Sequence, residues 1–435
     1  MYTMLTVLAL IAGATVFRRA FSAIVPCVTP DGTGGQTSTL GELLKEVYDP
    51  VIAEILNREA SSWNEFGEGE DKLGGEGWFF ETQMQGNQGG IGARAEKAVL
   101  PVADHQYWRQ GVIQEKSVYG TGELTGQIIE KAKSNAEAFA SARSSEMDGL
   151  TKDVIKDLNR QFFGSGRGVL ATVSADGPGT QDGTVTDGLN LRIGMVIDTH
   201  RPIGTPVAAL AGRRITNLSA LAAGTMVFTV DGAAPAFVAG DVLLRTGAFD
   251  NEITGLDAIV DDGGVAATYL NISRTTYPLW KANVLANAGT ARALTLDLMQ
   301  QAEDAVTRAG DQVDLIRMNL GQRRKYFDIV GPDKRYMSGR LDGGYERLDY
   351  NGKNLTIDID CPKGRIFFLK RSTIKKYFLR RLGILDFDGQ VLRQVAGSDV
   401  WRWHIGAYCN LGCKMPNRNS VLKDLSEPSE LQYVG

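Results

Sequence analysis

One apolar stripe, sustained from about Thr125 to Phe163, constrains the fold of this chain more than any other feature. Its members recur at helical spacing on one face, while the opposite face is charged. The stripe consists of Ile128, Ala132, Ala136, Phe139, Met147, Leu150, Val154, Leu158 and Phe162. A helix of this length would span roughly 60 Å, although Gly149 is a point of potential interruption. Because an average helix has only about 11–12 residues, the sequence predicts an unusually long, one-sided helix.

Two strand patterns precede this helix and are joined by a long, charged connection. Trp78–Met84 and Tyr107–Tyr119 are rich in β-forming residues, and the glycine-rich stretch Gly86–Gly92 opens the connection. A two-stranded hairpin is too thin to bury a core of its own. The sequence therefore predicts an extended hairpin that lies on another part of this chain or on another copy of it.

The N-terminal residues suggest an arm. Met1–Phe17 is apolar, but no Lys or Arg precedes the apolar stretch, which is also short for a membrane span. An arm that packs on a neighbouring surface is therefore favoured over a secretion signal or a membrane anchor. Thr39 and Glu42 then form a capping box that begins a helix, in which Pro50 should introduce a kink.

The rest of the chain mixes strands with shorter helices, which indicates an α+β protein. Val169–Thr290 is rich in Gly, Thr, Val and Ala with turn signals about every ten residues, which favours a small β-rich insertion. Strand patterns within it are Gly194–Ile197, Arg214–Leu218, Met226–Val230 and Asp241–Arg245. Later predicted elements are a helix at Ala293–Ala309, strands at Asn354–Ile359, Arg365–Leu369 and Val400–Met415, and a basic helix at Ile374–Leu382.

The composition indicates a well-packed protein without a strong charge field. The chain has 435 residues, 43% of them hydrophobic, and a formal net charge of −4 with no basic block. This balance argues against tight binding of nucleic acid through its phosphates and is compatible with weak contact to enclosed DNA. The 4 cysteines form no disulfide framework, which favours a reducing compartment.

Motifs that would carry chemistry are weak. Gly90–Ala95 fits the dinucleotide pattern G-x-G-x-x-A, but the residues after it include Pro101 and predict a strand instead of the required helix. His404, Cys409 and Cys413 are candidate zinc ligands, yet their spacing is loose and no fourth ligand is nearby, so buried free thiols are favoured. The sequence thus selects no catalytic residue, no cofactor and no metal site.

The order of these parts resembles the major capsid fold of tailed bacteriophages, which encapsulins and the floor of herpesvirus shells share. Gly92–Glu96 through Leu100 and Pro101, followed by Tyr119–Gly126, is similar to the extended loop that enters the spine helix of that fold. Later segments similar to phage capsid proteins are Arg324–Asp328, Gly343–Glu346 and Pro416–Ser420. The resemblance covers about Leu40 to Leu425.

The resemblance implies a division of the chain. Its parts would be an N-terminal arm (1–75), an extended hairpin loop (76–120), a spine helix of the peripheral domain (121–166), an axial domain (167–400) with a β-rich insertion at about 175–249, and a returning peripheral strand with the C-terminus (401–435). The hairpin would lie across the neighbouring subunit. The implied intersubunit contacts are Arg94, Glu96, Lys97, Trp78 and Tyr107. Some family members crosslink a hairpin lysine to an asparagine of the next subunit, and Lys97 is the single candidate here, with an ordinary salt bridge as the favoured alternative.

The implied function is that of a non-enzymatic major capsid protein, which assembles into hexamers and pentamers of an icosahedral shell around phage double-stranded DNA. The implied partners are other copies of the chain, a separate scaffolding protein, a portal, a decoration protein and, by weak contact, the packaged DNA, with no membrane. Assembly would take place in the host cytoplasm and the product would be the virion. Two alternatives stay open: an encapsulin-type shell, and a metal-dependent hydrolase that uses His404, Cys409 and Cys413.

Overall fold

The computed structural model describes residues 61–127, 136–177, 181–219, 225–232, 236–330, 349–386 and 389–427. Most of the predicted arm, including Met1–Phe17 and the helix with Pro50, therefore lies outside the described residues. The same holds for residues 128–135 of the apolar stripe and for Gly343–Glu346. The described helices are α1 Ser61–Asn64, α2 Ala136–Phe163, α3 Leu256–Ile259, α4 Leu296–Arg308 and α5 Leu320–Val330.

Strands make up most of the remaining regular structure. In chain order they are β1 Leu73–Gly74, β2 Gly77–Gln85, β3 Tyr107–Ile113, β4 Lys116–Thr125, β5 Val169–Asp176, β6 Asp182–Val185, β7 Val196–His200, β8 Arg213–Leu218, β9 Met226–Val230, β10 Val242–Arg245, β11 Thr268–Tyr269, β12 Ile272–Ser273, β13 Asn283–Leu285, β14 Leu315–Met318, β15 Asp349–Tyr350, β16 Lys353–Ile357, β17 Ile366–Leu369, β18 Ile374–Ile384, β19 Arg393–Gln394, β20 Val400–Cys413 and β21 Ser420–Leu422. The predicted α+β class is confirmed.

These strands form separate sheets. Strands β1, β2 and β3 make a three-stranded sheet, and β11 pairs with β12. A mixed six-stranded sheet has the order β13-β21-β17-β14-β16-β15. In the remaining open sheet, β20 pairs along one edge with β4 and along the other with β18 and β19.

The predicted long helix is present as α2 and runs without interruption through Gly149. Its 28 described residues span about 42 Å. The C-terminal half of the stripe is buried, with Leu158 and Phe162 at most 3% exposed. The ring of Phe162 packs at 6.3 Å from Trp63 and at 5.3 Å from Phe66, which fixes α1 against the end of α2.

The second predicted strand, Tyr107–Tyr119, is in fact two strands with different partners. β3 ends at Ile113 and pairs with β2, from Trp78 opposite Ile113 to Gln85 opposite Tyr107. β4 begins at Lys116 and leaves the hairpin to pair with β20. It also extends to Thr125, so the start of the predicted spine region is a strand. Both strands contain good β-formers, and only the long-range partner of each one separates them.

The predicted basic helix at Ile374–Leu382 is wrong, because these residues form strand β18. The strand pairs antiparallel with β20, from Ile374 opposite Cys413 to Ile384 opposite Ile405. Ile374 and Tyr377 are at most 1% exposed, while Arg381 stays exposed and binds Glu68. Pairing with a 14-residue strand therefore overrides a local sequence whose basic residues suit a helix equally well.

The β-rich insertion is a closed six-stranded barrel with the strand order β10-β5-β6-β9-β8-β7. All four strand patterns predicted there are present as β7 to β10, while β5 and β6 were not recognised. The barrel has a core of its own, lined by fully buried side chains such as Val185, Ile215 and Phe228. Its strands run from Val169 to Arg245, which overlaps the predicted insertion at about 175–249.

Close approach of β4 to β20 depends on a glycine. Gly122 lies opposite Trp403 in the ladder, and a Cβ atom placed on Gly122 would lie 2.1 Å from the indole ring. Trp403 is 2% exposed and belongs to a small core with Leu124, Met147 and Ile405. The missing side chain therefore creates the space into which the largest residue of this core packs.

We expect Gly122→Ala to lower the free energy of unfolding by about 1–3 kcal/mol, because the added methyl group forces Trp403 out of its place. Gly149→Ala is the matched control, since it makes the same chemical change in α2 where no atom lies within 4 Å. It should raise the free energy of unfolding by about 0.5–1 kcal/mol through helix propensity. Denaturant titration of both variants measures the two values, and equal effects would contradict the packing account.

Candidate intersubunit surface

Large apolar side chains are exposed along the connection between β2 and β3 and at the start of β3. They are Ile91 (75% exposed), Val99 (88%), Leu100 (77%), Val102 (82%), Tyr107 (51%) and Trp108 (55%). Single exposed apolar residues are ordinary on a protein surface, whereas a large exposed apolar patch is typical of a protein, membrane or ligand contact. Residues 86–108, which contain this group, are named the hairpin tip below.

Local hydrogen bonds shape the hairpin tip. Asp104 closes its neck, because its carboxylate accepts from the backbone N–H groups of His105 at 2.8 Å and Gly89 at 3.2 Å. Both bonds lower the pKa of Asp104, and the bond from His105 has the larger effect. The amide of Asn87 adds a bond to the Asp104 carbonyl at 2.7 Å. The tip is thus organised by bonds within itself, and its apolar side chains are left in solvent.

The predicted charged contacts lie at the far end of the tip. Arg94, Glu96 and Lys97 are all exposed, and none of them has a hydrogen bond or ion pair to another described residue. Lys97 lies in a tight turn, in which Ala98 N–H donates to the Ala95 carbonyl at 3.0 Å, and has φ of 67°. These charges are therefore available to a partner.

Two aromatic residues were predicted as contacts, and they differ in their exposure. Tyr107 is half exposed, and its hydroxyl donates to Asp104 at 3.3 Å. Trp78 is only 5% exposed and packs at 5.4 Å from the ring of Tyr377 in its own chain. Since Trp78 lies at the base of the hairpin, where β2 meets the core, we withdraw it from the predicted intersubunit contacts.

The base of the hairpin is anchored by contacts that sequence reasoning did not identify. The Asp71 carboxylate accepts from the Tyr377 hydroxyl and from the Lys414 ammonium, both at 2.5 Å. Burial, followed by the hydrogen bond to Asp71, raises the pKa of Tyr377. Phe80 stacks on Trp280 at 6.2 Å. No sequence motif marks this cluster, because its members are far apart in the chain: Asp71 is more than 300 residues from Tyr377 and Lys414, and Phe80 is 200 residues from Trp280.

The candidate zinc ligands do not converge. His404, Cys409 and Cys413 all lie on β20, but His404 is an odd number of residues from both cysteines and so projects from the opposite face. Its Nδ1 lies 3.0 Å from the Thr121 hydroxyl. Both thiols are fully buried. Over the whole described part of the chain, no three His, Cys, Asp or Glu side chains are placed to share a metal ion.

The structure also bears on the dinucleotide motif and on the possibility of a membrane-spanning helix. Gly90–Ala95 lies in the exposed tip and opens no helix, so the phosphate-binding geometry of the dinucleotide motif is not formed. Among the described helices, none is both long enough and apolar enough to cross a membrane.

Comparison with known proteins identifies the fold. No protein-family model and no curated protein matches the sequence. Among solved structures, the chain is similar to the cyanophage A-1(L) capsid asymmetric unit, with a TM-score of 0.51 and 14% identity over 93% of this chain and 96% of that chain. It also matches the capsid of a native GTA particle (TM-score 0.46, 10% identity, 93% of this chain and 96% of that one). A third match is to Mycobacterium phage Bobi (TM-score 0.42, 8% identity, 92% and 96%).

The class that these observations define is a phage capsid fold. The first match spans 93% of this chain and 96% of the other, so the likeness concerns the fold as a whole. The fold that the order of parts predicted is therefore confirmed. At 14% identity the likeness defines the fold, and the function is argued separately below.

We expect the thiols of Cys409 and Cys413 to be inert in the folded chain. Burial raises the pKa of Cys409 to about 12 and that of Cys413 to about 11, so the reactive thiolate is scarce at neutral pH. Peptide mapping after pulse labelling with a thiol reagent should show modification of both residues only after denaturation. Rapid labelling of either thiol in the native protein would show that β20 is more accessible than its burial indicates.

Proposed function

We propose that this chain is a major capsid protein, a non-enzymatic subunit that assembles into an icosahedral shell around phage double-stranded DNA. The observation that carries the proposal is the hairpin tip, a segment with exposed apolar and charged side chains on a chain with a phage capsid fold. Other copies of the chain are the partners that this surface fits. We infer that they form the hexamers and pentamers of such a shell.

The energetic argument starts from the exposed side chains. Burying one Val, Leu or Ile side chain contributes about 1.5–3 kcal/mol, and Ile91, Val99 and Leu100 are all more than 70% exposed. Association has its own entropic cost, so a single tip gives only a modest net affinity. A closed shell repeats the contact many times, and the summed burial stabilises the whole particle.

The charges of the tip would set orientation. Arg94, Glu96 and Lys97 present both signs within one turn of exposed chain, which favours one docking geometry over others through charge complementarity. We propose Lys97 as a salt-bridge partner of the next subunit. Covalent crosslinking of Lys97 remains the alternative chemistry for the same contact.

The other parts take the roles that the sequence suggested. We propose that 121–166 and 401–435 form the peripheral domain, and that 167–400 with the barrel forms the axial domain around the hexamer and pentamer centres. Of the arm, 1–75, the part before Ser61 would bind an adjacent copy, whereas Trp63 and Phe66 pack within their own chain. With a net charge of −4, contact with the packaged DNA would be weak. A separate scaffolding protein, a portal and a decoration protein would complete the virion, which is assembled in the host cytoplasm.

We expect replacement of Arg94, Glu96 and Lys97 by Ala to impair shell assembly strongly while the monomer stays folded, because these side chains are exposed and form no ion pair with another described residue. Leu100→Asp should have the same effect by placing a charge in the apolar contact. Negative-stain microscopy and sedimentation measure assembly, and circular dichroism measures folding.

Val238→Asp on the barrel serves as the control for a new charge at an exposed apolar residue, since Val238 is 42% exposed and lies far from the tip in sequence. It should assemble better than Leu100→Asp. Normal shells from both tip variants would refute the role of the hairpin. A wild-type chain that stays strictly monomeric and metal-loaded, with or without a scaffold, would refute the shell.

A further inference from the structure

Strand β4 has one edge without a hydrogen-bonding partner among the described residues. Its ladder with β20 runs from Lys116 opposite Cys409 to Thr125 opposite Val400 and contains no register shift. No described strand pairs with the other edge of β4. At about 3.4 Å per residue, this free edge is about 34 Å long. A row of unpaired backbone N–H and C=O groups of this length is a template for another strand.

The ladder identifies the backbone groups that face the free edge. Gly126, which follows the strand, donates its N–H to the Asp399 carbonyl at 2.9 Å, so the even-numbered residues of β4 bond to β20. The odd-numbered residues alternate with them and direct their N–H and C=O groups outward. None of these outward groups bonds to another described residue. The odd-numbered residues, which also have exposed side chains, are Ser117, Tyr119, Thr121, Glu123 and Thr125.

The neighbouring strands have edges that are at least partly covered. The N–H of Lys376 in β18 donates to the Gly67 carbonyl at 2.9 Å, and the N–H of Val112 in β3 donates to the Leu270 carbonyl at 3.3 Å. Strand β4 also lacks the features that usually block an edge, because it contains no proline and no bulge and is uncharged from Ser117 to Gly122. Its edge is therefore open to an added strand.

The helix against β4 limits what can pair with this edge. A Cβ atom on Gly120 would lie 2.7 Å from the side chain of Val154, so α2 lies directly against the strand. Paired strands are about 4.8 Å apart, whereas a helix is about 10 Å wide. The same sheet of a second copy would bring its own helix into the space that α2 occupies. A single extended segment without a covering helix avoids this overlap.

We propose that residues 15–25 of an adjacent copy add a strand to the free edge of β4. This assignment rests on the proposed shell function, because the segment comes from another subunit. Residues 26–60, which join the segment to the described chain, can span about 120 Å when they are extended, enough to reach a neighbour. The segment is rich in residues that favour β-structure, namely Thr15, Val16, Phe17, Phe21, Ile24 and Val25.

An antiparallel register with Arg19 opposite Glu123 suits both chains. The Glu123 side chain is 60% exposed, and although it binds Arg402 at 3.1 Å, its carboxylate can accept from a second cation. Opposite charges that face each other across two strands stabilise the pairing. In this register the odd-numbered residues of the segment form the ladder bonds. The missing N–H of Pro26 then faces away from β4, which is where edge strands tolerate proline.

The edge would recognise the segment mainly through its backbone. Strand addition obtains affinity from main-chain hydrogen bonds and specificity from alternate side chains. Each odd-numbered residue of β4 would exchange two hydrogen bonds with the residue opposite. This contact differs in kind from that of the hairpin tip, which presents apolar and charged side chains to its partner.

Disulfide trapping in assembled shells tests the register. Two variants are mixed before assembly, one with Phe21→Cys and one with Thr121→Cys, both in a Cys27→Ser background that removes the other thiol near the segment. Residues opposite each other in a bonded antiparallel pair have Cα atoms about 5.5 Å apart, which a disulfide can bridge. Oxidised shells should contain crosslinked dimers on non-reducing electrophoresis. In the control, Val238→Cys on the barrel replaces Thr121→Cys and should give no dimer, although Val238 is also exposed.

A proline at the edge tests the backbone contact. Ser117→Pro removes an N–H that faces the free edge and that bonds to no described residue, so the ladder with β20 stays intact. Ser117→Ala is the matched control, because it removes the same hydroxyl and keeps the N–H. The proline should lower the yield of crosslinked dimer roughly tenfold relative to the alanine, since it lacks the donor and its ring blocks the incoming strand. Circular dichroism of both monomers should be the same.

Shells that form normally without crosslinked dimers would overturn this proposal and leave the shell function intact. Equal yields from the Ser117→Pro and Ser117→Ala chains would also overturn it. A chain carrying both Phe21→Cys and Thr121→Cys that crosslinks only internally would place the segment on its own subunit, against the proposal. Absence of shells from the wild-type chain would contradict the shell function itself, and the assignment of the segment to an adjacent copy would fail with it.

Discussion

Strand β20 is the element on which the rest of the structure depends, because it is hydrogen-bonded along both edges. One edge pairs with β4, from Val400 opposite Thr125 to Cys409 opposite Lys116, and the other pairs with β18. Ile405, Cys409 and Leu411 are fully buried, so the strand also contributes to the core. These two ladders bring the residues that precede the long helix together with residues almost three hundred positions later. Without this closure, neither α2 nor the hairpin would have a surface to lie on.

The hairpin can extend away from the core of the chain because its base is firmly anchored. Trp78 and Phe80 are held by rings from other segments, and Asp71 ties the adjoining loop to Tyr377 and Lys414. From Gln85 outward the stabilising contacts are local, and the apolar side chains of the tip remain in solvent. Folding of one chain therefore leaves a defined surface unfilled. A second copy can bury that surface without any rearrangement of the base, and this is the physical link between the fold and the proposed shell.

Local patterns in the sequence predicted the elements that one segment can specify. The stripe through Leu158 and Phe162 specified α2, and the short strand patterns specified β7 to β10. Prediction failed where the conformation of a segment depends on the strand with which it pairs. Ile374–Leu382 carries no local signal that separates a basic helix from a strand. It forms a strand because it pairs with β20. The tip charges Arg94, Glu96 and Lys97 were identified because they lie in one exposed segment, whereas burial of Trp78 depends on Tyr377, three hundred residues away.

Two acidic clusters contact α2, and different groups of the helix hold them. At Arg160, the guanidinium lies between Asp157 and Glu252, and although burial opposes it, Arg160 and Arg245 lower the pKa of Asp157. Charge there is balanced within the protein, and the cluster ties the chain leaving the barrel to the helix. Asn159, one residue earlier, donates its Nδ2 group to Asp358 at 3.1 Å and to Asp360 at 2.5 Å. The same helix thus holds one acidic cluster through arginine side chains and the other through a neutral amide donor, and both tie residues that are distant in sequence to α2.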